Sequence, residues 1–503
     1  MGVTECCVLD SSHPIWYQRS RHSNISPHFD VHTRAAIAAV CHSSWVSTQP
    51  FKLISAYAEQ VLGEYTHNLE FEESSDFVII YGPNGVGKTK FLEIIHALSR
   101  LNAYALSSLP FATATLTFSD GQNITVIAEQ SDAMEEAEDD EEGLSIGGGP
   151  NRNLRFEFRD YDTVTDRWLY SGDTFAAQLI ENTTYRPLAS STDMWEDRVD
   201  QELVSLAELE RRFPDLRKNE DVPKWVDDFR ENSFSYLIET QRLRIEQYIG
   251  ARRPVHVRPG VRRKQHDTKI SEHSSTMKTL VNKAQTEHSR ITQQLDRTFP
   301  NKVLAAPTSE AVHADAIRTR FDEQNNFRSR LGRVASVALE DALSLPTRKL
   351  DEFELRMLSL YLDDADKKLA PFVKLLRKIE LLEDIINSRL LNKRLQVTAS
   401  DGLTVRHGSS ERAIDLNSLS SGEQHEIILI FDLLFNVPEG ALVLIDEPEI
   451  SLHVVWQLAF IPDVQRVAEL AGFRFIVATH SPQIINDAWG NAIRLGPEEA
   501  SFA

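Results

Sequence analysis

Three short stretches of this chain carry residue types suited to phosphate-anhydride chemistry. Gly82-Pro83-Asn84-Gly85-Val86-Gly87-Lys88-Thr89 matches the G-x-x-x-x-G-K-[ST] pattern in full. Its glycines let backbone N–H groups curl round a phosphate without Cβ clashes. Lys88 can reach the β- and γ-phosphates, and the Thr89 hydroxyl can ligate Mg²⁺. Ala441-Leu442-Val443-Leu444-Ile445-Asp446-Glu447 is an apolar run ending in adjacent carboxylates. Asp446 is suited to hold Mg²⁺ through its water shell, and Glu447 to orient and deprotonate an attacking water. Leu419-Ser420-Ser421-Gly422-Glu423-Gln424 opens a helix that continues through Ile427 to Phe435. Its hydroxyl and N–H donors make either a helix cap or a second anion site.

These groups need rigid elements behind them. Phe77-Val78-Ile79-Ile80-Tyr81 reads as a buried strand running into the glycine loop, and the apolar spacing of Phe91 to Leu98 as the helix leaving it. The helix N-terminus adds partial positive charge at the phosphate position. Phe473 to Ala478 is a further apolar strand, leading to Thr479-His480-Ser481-Pro482. Asp446 and Glu447 close their strand at its carboxyl end, where ligands bind in parallel sheets.

The rest of the chain alternates in character. Hairpins are expected for Thr115–Phe118 with Ile124–Ile127, around Asp120-Gly121, and for Arg155–Phe158 with Arg167–Tyr170. From Gln201 to about Arg394 the sequence turns helical and charged. Leu355, Leu358, Leu362, Phe372, Leu375, Leu376, Ile379, Leu382 and Ile386 recur there at helical spacing. Strand signals return at Leu395–Thr398 and Leu403–Val405. The expected division is an N-terminal extension (1–48), a first lobe (49–200), a helical insertion (201–394) and a second lobe (395–503).

In 503 residues, 75 Asp+Glu against 54 Lys+Arg give a net charge of −21, which argues against a surface coated in nucleic acid or anionic membrane. The charge is segregated. Eight of the eleven residues from Asp132 to Glu142 are acidic, as in a solvated loop, whereas Ala251 to Lys264 holds six basic residues and no acid. Arg252, Arg253, Arg258, Arg262 and Arg263 there form either a solvated loop or a phosphate-backbone contact. Cys6, Cys7 and Cys41 are the only cysteines, so no disulfide framework is expected. With no signal-peptide pattern and no apolar run long enough to span a bilayer, a cytoplasmic protein with no membrane partner is expected.

The order of the motifs resembles that of the ABC-type ATPases: Walker A at 82–89, signature at 420–423, Walker B at 446–447 and a switch histidine at His480. The resemblance implies an α/β P-loop NTPase head, with a mixed sheet and an antiparallel β lobe, interrupted by a long helical insertion of coiled-coil type. It implies ATP hydrolysis with Mg²⁺, His480 sensing the γ-phosphate, and Ser420, Ser421, Gly422 and Glu423 capping a nucleotide held by another subunit. That requires a homo-oligomer, at least a head-to-head dimer. The separation of 332 positions from Lys88 to Ser420 resembles that of the RecF, SMC and overcoming-lysogenisation-defect branch. Asp446-Glu447-Pro448-Glu449-Ile450-Ser451-Leu452-His453 is similar to the last of these, with His453 where transporters and SMC proteins carry the D-loop aspartate. Such heads complete the Mg²⁺ shell with a glutamine after a strand, here Gln241 within a Gln-Arg-Leu segment, with Gln130 as competitor. Only 23 residues follow His480, so any nuclease is expected on a separate chain, as in the PARIS and Septu anti-phage systems. The alternative is a RecF-like DNA-repair or chromosome-maintenance ATPase using the basic stretch.

Overall fold

A computed structural model describes residues 52–72, 75–129, 152–161, 163–170, 175–188, 194–199, 201–205, 208–209, 212–213, 216, 222–232, 235–238, 268–305, 313–335, 344–410 and 412–497. The extension 1–48, the acidic loop 132–142, Gln130, Gln241 and the basic stretch 252–263 lie outside these residues.

Strands β1 (Leu53–Val61), β2 (Tyr65–Glu70) and β3 (Phe77–Tyr81) precede α1 (Lys88–Ser99) and α2 (Ala103–Ser108). The two expected hairpins follow as β4 (Thr113–Phe118) with β5 (Gln122–Ala128), and β6 (Leu154–Asp160) with β7 (Thr163–Tyr170). They close a six-stranded antiparallel sheet in the order β2-β1-β4-β5-β6-β7. A smaller sheet contains β8 (Tyr185–Pro187), β9 (Met194–Asp197) and β10 (Leu203–Ser205), preceded by α3 (Phe175–Asn182).

The central sheet has the order β11-β15-β16-β3-β17, formed by β3 with β11 (Ser235–Ile238), β15 (Leu442–Asp446), β16 (Arg474–Thr479) and β17 (Ala492–Arg494). All its pairings are parallel, so the mixture of strand directions lies between sheets. Val78, Ile79, Ile80, Val443, Leu444, Ile445, Ile476, Val477 and Ala478 are all buried. Continuous apolar, β-branched runs are what a sheet covered on both faces requires. The stretch read as helical from Gln201 thus carries two strands, β10 and β11, and α4 (Lys224–Asn232), before its first long helix.

That insertion is built from α5 (Lys269–Ala305), α6 (Ala314–Ala335) and α7 (Glu352–Asn387). At 37 residues α5 is about 55 Å long. Its Ile270, Met277 and Val281 join Leu369, Phe372, Leu376 and Ile379 of α7 in one apolar cluster with the central sheet. A separate cluster of Ile317, Phe321 and Leu362 lies between α6 and α7. After α7 come the expected hairpin β12 (Lys393–Thr398) with β13 (Gly402–His407), a short β14 (Ala413–Ile414) and α8 (Ser421–Phe431). The second lobe ends with α9 (Val454–Gln457), α10 (Phe460–Ala471) and α11 (Pro482–Ile485) around β16. No described helix is long and apolar enough to cross a membrane.

Candidate functional site: a phosphate loop, two carboxylates and a histidine

Sheet register brings the motifs together. Thr479 pairs with Tyr81, and Asp446 with Ala478. The residues that follow, Gly82, Glu447 and His480, therefore leave adjacent parallel strands at the same edge. The Glu447 N–H extends the ladder to the Ala478 carbonyl at 2.8 Å, and Leu495 N–H bonds Tyr81 O at 2.7 Å. Glu447 itself is left-handed, with φ 44°. That turn is costly for a residue with a side chain and aims its carboxylate back across the strand ends.

The glycine loop is tightly enclosed. A Cβ on Gly82 would overlap the Leu495 carbonyl oxygen, so only glycine allows that backbone approach. Gly87 has φ 86° at the start of α1, and a Cβ there would meet Val61 Cγ1 at 2.9 Å. His67, buried on β2, bonds the Val86 carbonyl through Nε2 at 2.7 Å. Because that acceptor needs an N–H, Nε2 is the protonated ring nitrogen. Burial holds this imidazole below its ordinary pKa.

Lys88 is 5% exposed. Its ammonium donates to Gly82 O and Pro83 O at 3.1 Å each and to His480 Nδ1 at 3.3 Å. Burial pulls its pKa below the ordinary value, against the opposing attraction of the Glu447, Asp446 and Glu449 carboxylates. His480 Nε2 stands 3.4 Å from Glu447 Oε1. An ammonium can only donate, so His480 Nδ1 accepts from Lys88, which leaves the neutral ring's N–H on Nε2, facing the Glu447 carboxylate. The Thr89 hydroxyl donates to Asp446 Oδ2 at 2.9 Å. Hydroxyl and carboxylate are hard oxygen donors, and the pair fits Mg²⁺, which takes few protein ligands and shares substrate phosphates. Among the described residues no cluster of three or more His, Cys, Asp or Glu side chains could hold a metal by itself.

The signature residues are placed on the surface. Ser420 and Ser421 are exposed at the start of α8. Ser420 caps the helix by accepting from Glu423 N at 3.3 Å, and Glu423 returns the contact by accepting from Ser420 N at 2.9 Å. Lys393 donates to both Glu423 oxygens, at 2.9 and 2.8 Å. It holds that carboxyl below its ordinary value even though burial pushes the other way. Farther along α8, Glu426 meets the buried Arg389, which also meets Asp463 of α10. A π-helical turn, Asp432–Asn436, continues α8.

So Lys88, Thr89, Asp446, Glu447 and His480 converge, and Ser420 to Glu423 form a separate helix start, exposed at Ser420 and Ser421 and half-buried at Gly422 and Glu423. β11, the strand that leads toward Gln241, lies beside β15, with Ile238 opposite Ile445. Sequence reasoning missed His67, Glu449 and Gln457. Glu449 Oε1 accepts from Thr479 Oγ1 at 2.8 Å and from His480 N at 2.6 Å. Buried Gln457 stands 2.8 Å, through Oε1, from Ser481 Oγ. The only advance signal was the second glutamate of Glu447-Pro448-Glu449; nothing local marks His67 or Gln457.

The family described as "AAA domain, putative AbiEii toxin, Type IV TA system" matches residues 77–486. No curated protein matches the sequence. Among solved structures, the chain is similar to the Smc head domain with an extended coiled coil bound to the C-terminal domain of ScpA, from Pyrococcus furiosus. That pair is 12% identical over 88% of this chain and 93% of the other, with a TM-score of 0.33. An SmcHead bound to the C-winged helix domain of ScpA is 10% identical over 90% and 95%, with a TM-score of 0.31. The SMC head domain from Thermotoga maritima is 12% identical over 89% and 100%, with a TM-score of 0.28.

Proposed function

The chain belongs to the AAA-domain family matched across residues 77–486, and from that premise we propose that it binds ATP with Mg²⁺ and hydrolyses it to ADP and phosphate. The observation that carries this reading is the convergence of Lys88, Thr89, Asp446, Glu447 and His480 at one end of the central sheet. The loop Gly82–Thr89 holds the phosphates through backbone N–H groups, with Lys88 on the β- and γ-phosphates. Thr89 and Asp446 are the residues that would hold Mg²⁺, with Gln241 as a further ligand, and the ion would neutralise charge on the transferred phosphoryl group. Glu447 orients the attacking water and accepts its proton. His480 stands between Lys88, from which its Nδ1 accepts, and the Glu447 carboxylate 3.4 Å from its Nε2, so it is placed to respond to the γ-phosphate.

The signature residues Ser420, Ser421, Gly422 and Glu423 complete the site of a second copy, because their helix start is exposed and can offer N–H and hydroxyl donors to a phosphate. ATP would thus pair two heads. The insertion helices share their apolar core with α8 through Phe431 and Met277, so pairing has a packed route to the insertion. In the finer reading, this pairing holds or releases a separate effector nuclease in bacterial anti-phage defence.

Lys88→Ala and Glu447→Gln test the reading. Lys88→Ala should abolish ATP binding. Glu447→Gln should still bind ATP, turn over about 10²–10⁴-fold more slowly, as loss of a general base dictates, and accumulate as an ATP-dependent dimer in light scattering. Wild-type turnover by Lys88→Ala defeats the assignment. Retention of a nuclease encoded beside this chain by Glu447→Gln in ATP, and its loss on adding Ser420→Arg, tests the effector reading.

A further inference from the structure

We propose that Glu449 is a positioning residue that aims His480, and that Gln457 secures the other side of the same turn. The inference deepens the ATPase reading and rests on it. Glu449 lies in the 3₁₀ turn Pro448–Ser451, immediately after the left-handed Glu447. A single oxygen, Oε1, takes both the Thr479 hydroxyl at 2.8 Å and the His480 backbone N–H at 2.6 Å. Thr479 is 0% exposed, whereas His480 is exposed. Packing therefore fixes Thr479, and His480 depends on its hydrogen bonds for direction. Hydrogen bonds to a carboxylate are shorter and stronger than those to a neutral acceptor.

The turn is tied on its far side as well. Thr479 Oγ1 accepts from Ser481 N at 2.9 Å, and Ser481 Oγ lies 2.8 Å from both Gln457 Oε1 and Gln483 Oε1. Gln457 Nε2 donates to the Glu449 carbonyl at 3.3 Å and to Leu452 O at 3.2 Å. Segment 449–457 and turn 479–481 are thus one hydrogen-bonded unit with His480 at its exposed corner. Only with its backbone held there does the ring bridge Lys88 and Glu447, at 3.3 and 3.4 Å.

Full-length Glu449→Ala, Glu449→Gln, His480→Ala and the double variant Glu449→Ala/His480→Ala decide the matter. Glu449→Ala should lower kcat about 10²-fold, the loss expected from ångström-scale misplacement of a reacting group. KM for MgATP should stay within about threefold, because loop 82–89 still holds the nucleotide. Glu449→Gln should recover to within about tenfold of wild type, since its amide oxygen still accepts from both donors. The double variant should be no slower than His480→Ala, because both changes remove one function. Multiplied losses in the double variant, or Glu449→Gln as slow as Glu449→Ala, overturn the proposal. Amide exchange over 479–485 reads the same unit without turnover and should quicken in Glu449→Ala but not in Glu449→Gln. Unchanged exchange in Glu449→Ala overturns the proposal, as does protection lost throughout the chain, which would mark a general structural role. A wild type that binds ATP without hydrolysing it defeats the ATPase reading and leaves the exchange result standing.

Discussion

The central sheet and the three-helix insertion are held by different physics. In the sheet, β3, β15 and β16 bury nearly every side chain, and backbone ladders fix the register to one residue. The insertion has a narrower apolar seam edged by charge: Lys302 with Asp364 at 2.6 Å, Arg320 with Asp363 at 2.7 Å and Asp366 at 2.5 Å, and Lys368 with Asp296 at 2.7 Å. Volume and backbone pairing give one answer, since a one-residue slip in a strand would turn its apolar side chains to the other face. Of the ion pairs, the exposed ones of Arg320 permit neighbouring arrangements at small cost, whereas Asp364 is buried. Lys88 must meet His480, and Thr89 must meet Asp446, within hydrogen-bond distance, and all four stand on the first kind of structure.

Three substitutions separate the two regimes. The largest effect is expected for Phe475→Ala. Its ring is 1% exposed and stacks on Phe77 with centroids 5.1 Å apart. The cavity should cost about 3–5 kcal/mol in denaturant unfolding, with little dependence on salt. A loss below about 1 kcal/mol would mean that the sheet relaxes in a way a close-packed core does not allow.

Asp432→Ala probes the joint between the regions. Asp432, in the π turn after α8, meets Lys269 of α5 at 3.4 Å, His273 at 3.0 Å and Asn436 at 2.6 Å. His273 stacks on Phe431, with centroids 4.4 Å apart. Removing the carboxylate should cost about 1–3 kcal/mol, because it leaves the buried His273 ring nitrogen and the half-buried Lys269 ammonium without their acceptor. Burial pushes the Asp432 carboxyl up, but the His273 hydrogen bond, the Lys269 charge and Asn436 bring it below its ordinary 3.8. A lowered carboxyl stabilises the fold above 3.8, and that contribution is lost as pH falls through the lower folded value. Unfolding followed from pH 6 downward should show this loss in wild type and not in Asp432→Ala.

The smallest effect belongs to Arg320→Ala. Its pairs with Asp363 and Asp366 are substantially exposed, so unfolding should change by about 1 kcal/mol or less and converge with wild type at high salt. A salt-independent loss as large as that of Phe475→Ala would erase the distinction between the regions.

What could be read from the sequence follows the same division between local and distant pairing. The loop Gly82–Thr89, the strands around it and the hairpin at Asp120-Gly121 are specified by residues close together in the chain, and they were legible. The helical spacing from Leu355 to Ile386 was equally legible as α7. Ser235–Ile238 was harder to place, because a four-residue strand in a charged stretch declares itself only through its pairing with Leu442–Ile445. The roles of Glu449 and His67 were hidden for the same reason. Each acts on a partner, His480 or Val86, that only the folded sheet brings near.

The strand order has a consequence for the time course of folding. β3, which carries the phosphate loop, is flanked by β16 and β17, so it finds neither neighbour until synthesis has passed Arg474 and Arg494. Until then its apolar edge must wait, unpaired, while nearly four hundred later residues emerge. Such long-range parallel closure is slow and exposes the strand to wrong partners. The antiparallel hairpins beside it pair with near neighbours and can form first. A nascent chain halted before residue 474 would therefore carry a formed β lobe beside a phosphate loop with no sheet to stand on.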